Sequence, residues 1–213
     1  MSTLKATVQT AYNSLIRKRL PKRLGVKSGV AVRADRLLDT TWIDQTVEEP
    51  CVDAHQRHVR PGDDVVIIGG GWGVTPVHAA RQGGDVTVFE AASEHVDIVA
   101  ETARLNQASD AISVEHALVG DAVDVWGDDV GRTVAPADLP ACDVLEIDAE
   151  GAELSILDGL TIRPRVLVVE YHPPLGVDRV AVVAALDELG YTIVEEAVEE
   201  PDEAIVLTAV HGD

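Results

Sequence analysis

A chain of 213 residues with a formal net charge of −20 and 46% hydrophobic residues fits one folded domain with a sizeable core, and is too apolar for an acidic disordered tail. The charge argues against a body that wraps DNA or lies flat on an anionic membrane, since both need cationic surface. No apolar run nears the roughly 20 residues that span a bilayer, the N-terminus lacks a signal peptide's apolar core, and Cys51 and Cys142 form neither a metal-spaced pair nor a disulfide framework, so the expected compartment is the cytoplasm.

The charge is segregated along the chain. Residues 1–36 hold nine bases and one acid, net +8, which leaves −28 for residues 37–213. Leu4, Val8, Ala11, Leu15 and Ile16 recur at helical spacing before Pro21, so residues 2–20 read as a basic amphipathic helix. Such a helix either packs on the acidic body, its arginines pairing with surface carboxylates, or offers a peripheral membrane or nucleic-acid contact. The economical division is an N-terminal helix and extension over residues 1–58 and one catalytic body over 59–213.

From Val59 onward strand and helix signals alternate, as expected of a parallel α/β sheet. Residues 65–68 form a continuous apolar run, the mark of a strand buried on both faces. A glycine cluster follows, then a helix over 75–81 with Pro76 in its first turn. Residues 86–89 make a second strand ending at Glu90, and Ser93 is placed to cap a helix running to Asn106. Residues 112–116 alternate as a third strand. The stretch 120–141 carries Gly127, Gly131, Pro136 and Pro140 and reads as an irregular loop. A buried strand at 143–148, a helix at 152–160, a strand at 166–170 and a helix at 179–189 follow. Two adjacent strands at 192–198 and 204–210 close the chain, including an antiparallel edge.

Two motifs carry chemistry. The first is Gly69-x-Gly71-x-Gly73, between the first body strand and its helix, with Trp72 inside it. Glycine there permits backbone angles that side chains forbid and lets a nucleoside ligand approach a helix N-terminus. Val74 stands where a dinucleotide fingerprint needs its third glycine, and no Gly-Lys-Ser/Thr follows for a P-loop. Glu90 ends the next strand, where a carboxylate can accept both hydroxyl protons of a ribose. A nucleoside cofactor is the implication.

The second motif is Asp143-Val144-Leu145-Glu146-Ile147-Asp148-Ala149-Glu150-Gly151-Ala152-Glu153. A buried strand delivers two carboxylates to its C-terminal edge, and a glycine turns the chain into a helix. This segment resembles the Asp-x-Glu-Gly-x-Glu signature of FkbM-type S-adenosylmethionine-dependent methyltransferases. The resemblance continues through the glycine loop, Glu90, Leu105-Asn106, residues 117–121 and residues 164–172, in the family's order. It implies a class I methyltransferase: a Rossmann-like α/β fold with a seven-stranded, mostly parallel sheet and helices on both faces. By position, Gly69, Gly71 and Gly73 would line the methionine and ribose of S-adenosylmethionine. Glu90 would hold the ribose hydroxyls, His116 and Ala117 would flank the adenine, and Asp148 and Glu150 would lie near the methyl. Trp72 either stacks on the cofactor or covers the first helix. Two positions depart from the family pattern: Ile67 where an acid is common, and Glu146 where lysine is usual. Glu146 either pairs with an arginine of the N-terminal segment, points into a polar site, or reaches solvent at its tip.

Methyl transfer to a hydroxyl benefits from a general base, and Asp148, Glu150, Glu170 and His172 are the candidates, Asp148 first. The spacing of the carboxylates matches no recognised metal pattern, so no metal site is expected. The acceptor class implied by the resemblance is a sugar, glycan or small metabolite, with nothing in the residues to select among them. Two other readings share the sheet: an NAD-dependent oxidoreductase, opposed by the glycine spacing, and an inactive scaffold, suggested by Ile67 and Glu146. Arginine outnumbers lysine 13 to 4 and aromatics are 3%. That profile resembles proteins of salt-loving archaea, whose acidic surfaces tolerate self-repulsion where salt screens it.

Overall fold

The computed structural model describes residues 16–36, 44–120, 131–199 and 204–212. A small sheet comes first, from β1 (Gly25–Lys27), β2 (Val30–Val32) and β3 (Asp44–Gln45), followed by α1 (Glu49–His58). The body then alternates β4 (Asp64–Ile68), α2 (Val74–Arg81), β5 (Asp85–Glu90), α3 (Ser93–Leu105), β6 (Ile112–Val119) and β7 (Arg132–Val134). It continues with β8 (Val144–Asp148), α4 (Glu153–Gly159), β9 (Val166–Tyr171), α5 (Arg179–Glu188), β10 (Tyr191–Glu199) and β11 (Ala204–His211).

The large sheet has the order β10-β11-β9-β8-β4-β5-β6-β7. All neighbours are parallel except β11, which runs antiparallel to both β9 and β10. This is the Rossmann-like methyltransferase fold, with one correction: the sheet has eight strands rather than seven. The extra strand, β7, lies within the stretch that reads as irregular, and only three residues pair with β6. Three residues between Gly131 and Pro136 are too short a run to give a strand signal.

Both faces of the sheet are covered, so its central strands are mostly apolar, with Glu146 in the middle of β8 a buried charged exception. Val66, Ile68, Leu145, Ile147, Leu167 and Val169 point to one face, under α4 and α5. Val65, Ile67, Val144, Val166 and Val168 point to the other, under α1, α2 and α3. From β4 the chain builds outward to β5 and β6, then returns to place β8 and β9 on β4's other side. That reversal opens a crevice beyond the C-terminal ends of β4 and β8, where ligands of such sheets bind.

The N-terminal segment clasps the body. The side chain of Asn106, at the end of α3, accepts the Ala31 N–H at 3.1 Å and donates to the Ala31 carbonyl at 2.8 Å. Arg33 pairs with Glu101 at 3.5 Å, and Lys22 and Arg36 pair with Glu94 at 3.8 and 3.3 Å. Most of the helix expected over residues 2–20 lies outside the described residues; at its end, Arg17–Arg19 form a single 3-10 turn rather than α-helix. Among the described residues, no helix is long and apolar enough to cross a membrane.

Candidate active site

The glycine loop is shaped by its neighbours. Gly69 has φ +92°, and a Cβ there would sit 2.0 Å from the carbonyl oxygen of Asp148. Only glycine lets the end of β4 lie this close to the end of β8. Gly73, at φ +80°, stands over Val99 and Thr102, where a Cβ would come within 3.2 Å of α3. At Gly71 the nearest atom to an added Cβ is Oε1 of Glu48, at 3.2 Å. The Trp72 ring carries the Lys27 ammonium at 4.3 Å from its centroid, and it packs against the core under α2. That contact is with the N-terminal hairpin and supports the covering role of the ring.

Glu90 ends β5 and is only 6% exposed. Its two oxygens accept the Gly70 N–H at 2.8 Å and the Ala92 N–H at 2.7 Å. The carboxylate therefore ties the glycine loop to the start of α3. Ala92 precedes that helix and Ser93 is its first residue, with no side-chain cap, so the expected Ser93 cap is corrected. His116 lies beside Glu90 in the β5–β6 register, and its Nε2 is 3.0 Å from the Ala91 carbonyl. The Ala117 side chain is buried in the core.

Across the crevice, Asp148 and Glu170 are register partners at the ends of β8 and β9. His172 follows two residues on, its Nε2 3.7 Å from Oε1 of Glu170. Ligand atoms of Asp148, Glu170 and His172 all lie within 4.8 Å of one another. Oε2 of Glu170 accepts a hydrogen bond from the Cys51 thiol at 3.4 Å, while Oδ1 of Asp148 and Nδ1 of His172 are shut from solvent without a hydrogen-bond partner among the described residues. Burial raises the Asp148 carboxyl well above its ordinary range, and the charges of Glu170, Glu150, Glu146 and Glu48 push it further. Burial is also the main cause for Glu170, which is raised to about 8, with Glu199, Glu146 and Glu150 adding repulsion. Glu150 stands outside the trio, in a left-handed backbone conformation (φ +50°) that leads into Gly151 and α4. Its part is to add negative charge beside Asp148.

Sequence reasoning missed the contribution of α1. This helix brings Cys51 to Glu170 and His55 to Glu146, and Glu48 at its N-terminus reaches the glycine loop. Glu146 is 2% exposed; its oxygens meet Nε2 of His55 in a short contact and the Thr75 hydroxyl at 2.9 Å. An arginine partner and a solvent-reaching tip are thereby corrected: the polar site beneath α1 and α2 satisfies the carboxylate. Ile67, its register partner on β4, is fully buried in the same layer. Glu48 has φ +54°, donates its N–H to Glu199 at 2.6 Å, and is raised well above the usual carboxyl range by burial and by Glu146, Glu170 and Glu199. Two polar residues on the buried side of the helix, Cys51 and His55, with Glu48 just before its first residue, were the available signal.

No known protein family matches the chain's sequence, and no curated protein does either. Solved structures do match its fold. The ribosomal protein L11 methylase of Lactobacillus delbrueckii subsp. bulgaricus superposes with a TM-score of 0.58 at 15% identity, over 76% of this chain and 77% of that one. Precorrin-6y C5,15-methyltransferase of Geobacter metallireducens gives 0.54 at 16% identity, over 76% and 86%. Streptococcus pneumoniae Sp1610, described as a candidate tRNA (m1A22) methyltransferase and solved with S-adenosyl-L-methionine, gives 0.53 at 13% identity, over 79% and 74%.

Proposed function

We propose that this chain is an S-adenosylmethionine-dependent methyltransferase acting on a hydroxyl of a sugar, glycan or small metabolite, in the manner of the FkbM-type enzymes its motifs resemble. The observation that carries the reading is the pairing of two unlike carboxylates across Gly69: Glu90, held by backbone amides, and Asp148, whose Oδ1 has no hydrogen bond among the described residues.

The residues fit the cofactor. A carboxylate has about four acceptor sites, and Glu90 spends two of them on Gly70 and Ala92. The remainder can take ribose hydroxyls. Asp148, with Glu48, Glu150 and Glu170 around it, makes a region of negative potential suited to the cofactor's sulfonium and ammonium charges. The acid missing at Ile67 is offset by this surplus. When bound, S-adenosylmethionine supplies a methyl group on a positively charged sulfur that is already an activated leaving group.

The protein's own part is orientation and proton removal. Gly69 keeps the backbone of β4 low, so that the Glu90 and Asp148 edges open into one crevice. Asp148, in its ionised form, accepts the hydroxyl proton as the acceptor oxygen becomes nucleophilic, and the burial and neighbouring charges that raise its pKa strengthen that carboxylate as a base. His172 and Glu170 border the same spot and position the acceptor. The fold of solved methyltransferases, one of them holding this cofactor, agrees with the reading.

Calorimetry with S-adenosylmethionine, S-adenosylhomocysteine and NAD, in molar potassium chloride to match the acidic composition, tests it. Both adenosyl compounds are expected to bind and NAD is not; NAD binding alone would overturn the assignment. Labelled methyl transfer into fractionated small metabolites and glycans then identifies the acceptor class.

A further inference from the structure

We propose that Asp148, Glu170 and His172 form a divalent-cation site at the C-terminal edge of β8 and β9. The argument begins with geometry. Parallel pairing sets Asp148 and Glu170 side by side, and the extended chain past β9 returns His172 to the same edge, so that one ligand atom from each falls within 4.8 Å of the others. Two carboxylate oxygens and one imidazole nitrogen suit manganese, magnesium or zinc, and the mixed set favours manganese over calcium.

The second line of argument is what these groups lack. Among the described residues neither Asp148 nor Glu170 has a Lys or Arg partner. Glu170 is 6% exposed, and its Oε1 has only the His172 ring for company, at 3.7 Å. Oδ1 of Asp148 is sealed from solvent with no hydrogen bond among the described residues, and Nδ1 of His172 is sealed likewise. Buried polar atoms almost always find partners, and buried carboxylates almost always find cations or protons. Glu48, Glu146, Glu150 and Glu199 surround the pair and deepen the negative potential. Glu146 is already satisfied by His55 and Thr75, whereas the carboxylates of the trio have no Lys or Arg partner among the described residues.

The inference rests on the methyltransferase reading only for the cation's role: it would hold the acceptor hydroxyl beside the crevice and lower that hydroxyl's pKa. Binding itself does not depend on that reading. The test is manganese(II) titration of the full chain in molar potassium chloride without cofactor, followed by calorimetry and by electron paramagnetic resonance. One site is expected, with nitrogen modulation in the pulsed spectrum from a coordinated imidazole. Glu170→Gln and His172→Gln should each weaken that site at least about 10-fold, and His172→Gln should also erase the modulation. Weak binding at many sites without nitrogen modulation would overturn the proposal, as would wild-type affinity in His172→Gln. S-adenosylmethionine binding is measured on the same samples. Cofactor binding without manganese binding defeats this inference alone, whereas manganese binding without cofactor binding defeats the methyltransferase reading and leaves the metal site standing.

Discussion

The two halves of the crevice solve the problem of burying a carboxylate in opposite ways. On the β4–β5 half, Glu90 is enclosed but accepts two backbone N–H groups, so folding compensates its desolvation. On the β8–β9 half, Oδ1 of Asp148 is shut from solvent with no hydrogen bond among the described residues, and Glu170 meets the Cys51 thiol and the nearby His172 imidazole. The first half is finished by folding and forms a rigid floor. The second is left electrostatically unfinished, and ligand, cation or proton must complete it. The two acids are distinguished here by their partners: Glu90 has two backbone donors, and Oδ1 of Asp148 has none among the described residues.

The largest expected effect follows from removing the unfinished acid. Asp148→Asn should slow methyl transfer by about 10²–10⁴, the usual range for loss of a general base, while cofactor affinity falls by much less because Glu48, Glu150 and Glu170 remain in place. Because no hydrogen bond is lost and a repelled charge disappears, thermal stability at pH 8 should hold or rise. A variant with full transfer activity would remove Asp148 as the base, and one with a lowered melting temperature would show that its carboxylate has a structural partner.

Next comes the seam between the halves. Gly69→Ala puts a Cβ into the Asp148 carbonyl, at 2.0 Å, on a backbone with φ +92°. Overpacking and left-handed strain together should cost about 3 kcal/mol, read from urea unfolding. A loss under 1 kcal/mol would mean that the two strand ends can part freely.

The pH dependence of stability separates the halves further. Glu170 is raised from an ordinary carboxyl value of 4.5 to about 8 by burial and by its acidic neighbours. Between those values the unfolded chain has released this proton and the folded chain still holds it. Stability therefore falls as pH rises through the window from 4.5 to about 8, and the full penalty is present above it. Glu170→Gln should flatten this slope and gain on the order of 2 kcal/mol at pH 8.5. An unchanged slope would show that Glu170 is ionised at neutral pH, already paired with a cation.

Much of this was legible because it is local. The run from Asp143 to Gly151 specifies a buried strand, two edge carboxylates and a turn within a few residues, and the glycine loop does the same for β4 and α2. The partners of Glu146 were not legible, since His55 and Thr75 lie 91 and 71 positions away and meet it only after α1 and α2 dock on one face of the sheet. The helix α1 itself was hidden within the extension because it has few large apolar residues, its buried positions being Cys51, Val52, Ala54 and His55. Likewise β7 is three residues long, and no sequence pattern distinguishes so short a strand from loop. The convergence of Asp148, Glu170 and His172 needed the β8–β9 register, which sequence spacing alone does not supply.

The smallest effect, and the sharpest contrast with Asp148, belongs to Glu90→Gln. The amide can still accept one backbone N–H through its oxygen, but its NH2 group then faces the other. One of the two bonds, to Gly70 or to Ala92, is replaced by a donor–donor clash. Stability should fall by about 1–2 kcal/mol, where Asp148→Asn loses none. Cofactor affinity should fall about 10-fold, since a neutral acceptor holds hydroxyl protons less strongly than a carboxylate. Urea unfolding and calorimetry on the same preparation read both quantities. If Glu90→Gln left stability untouched while abolishing binding, the carboxylate would be held by the ligand rather than by the loop, and the two halves of the crevice would be unfinished alike.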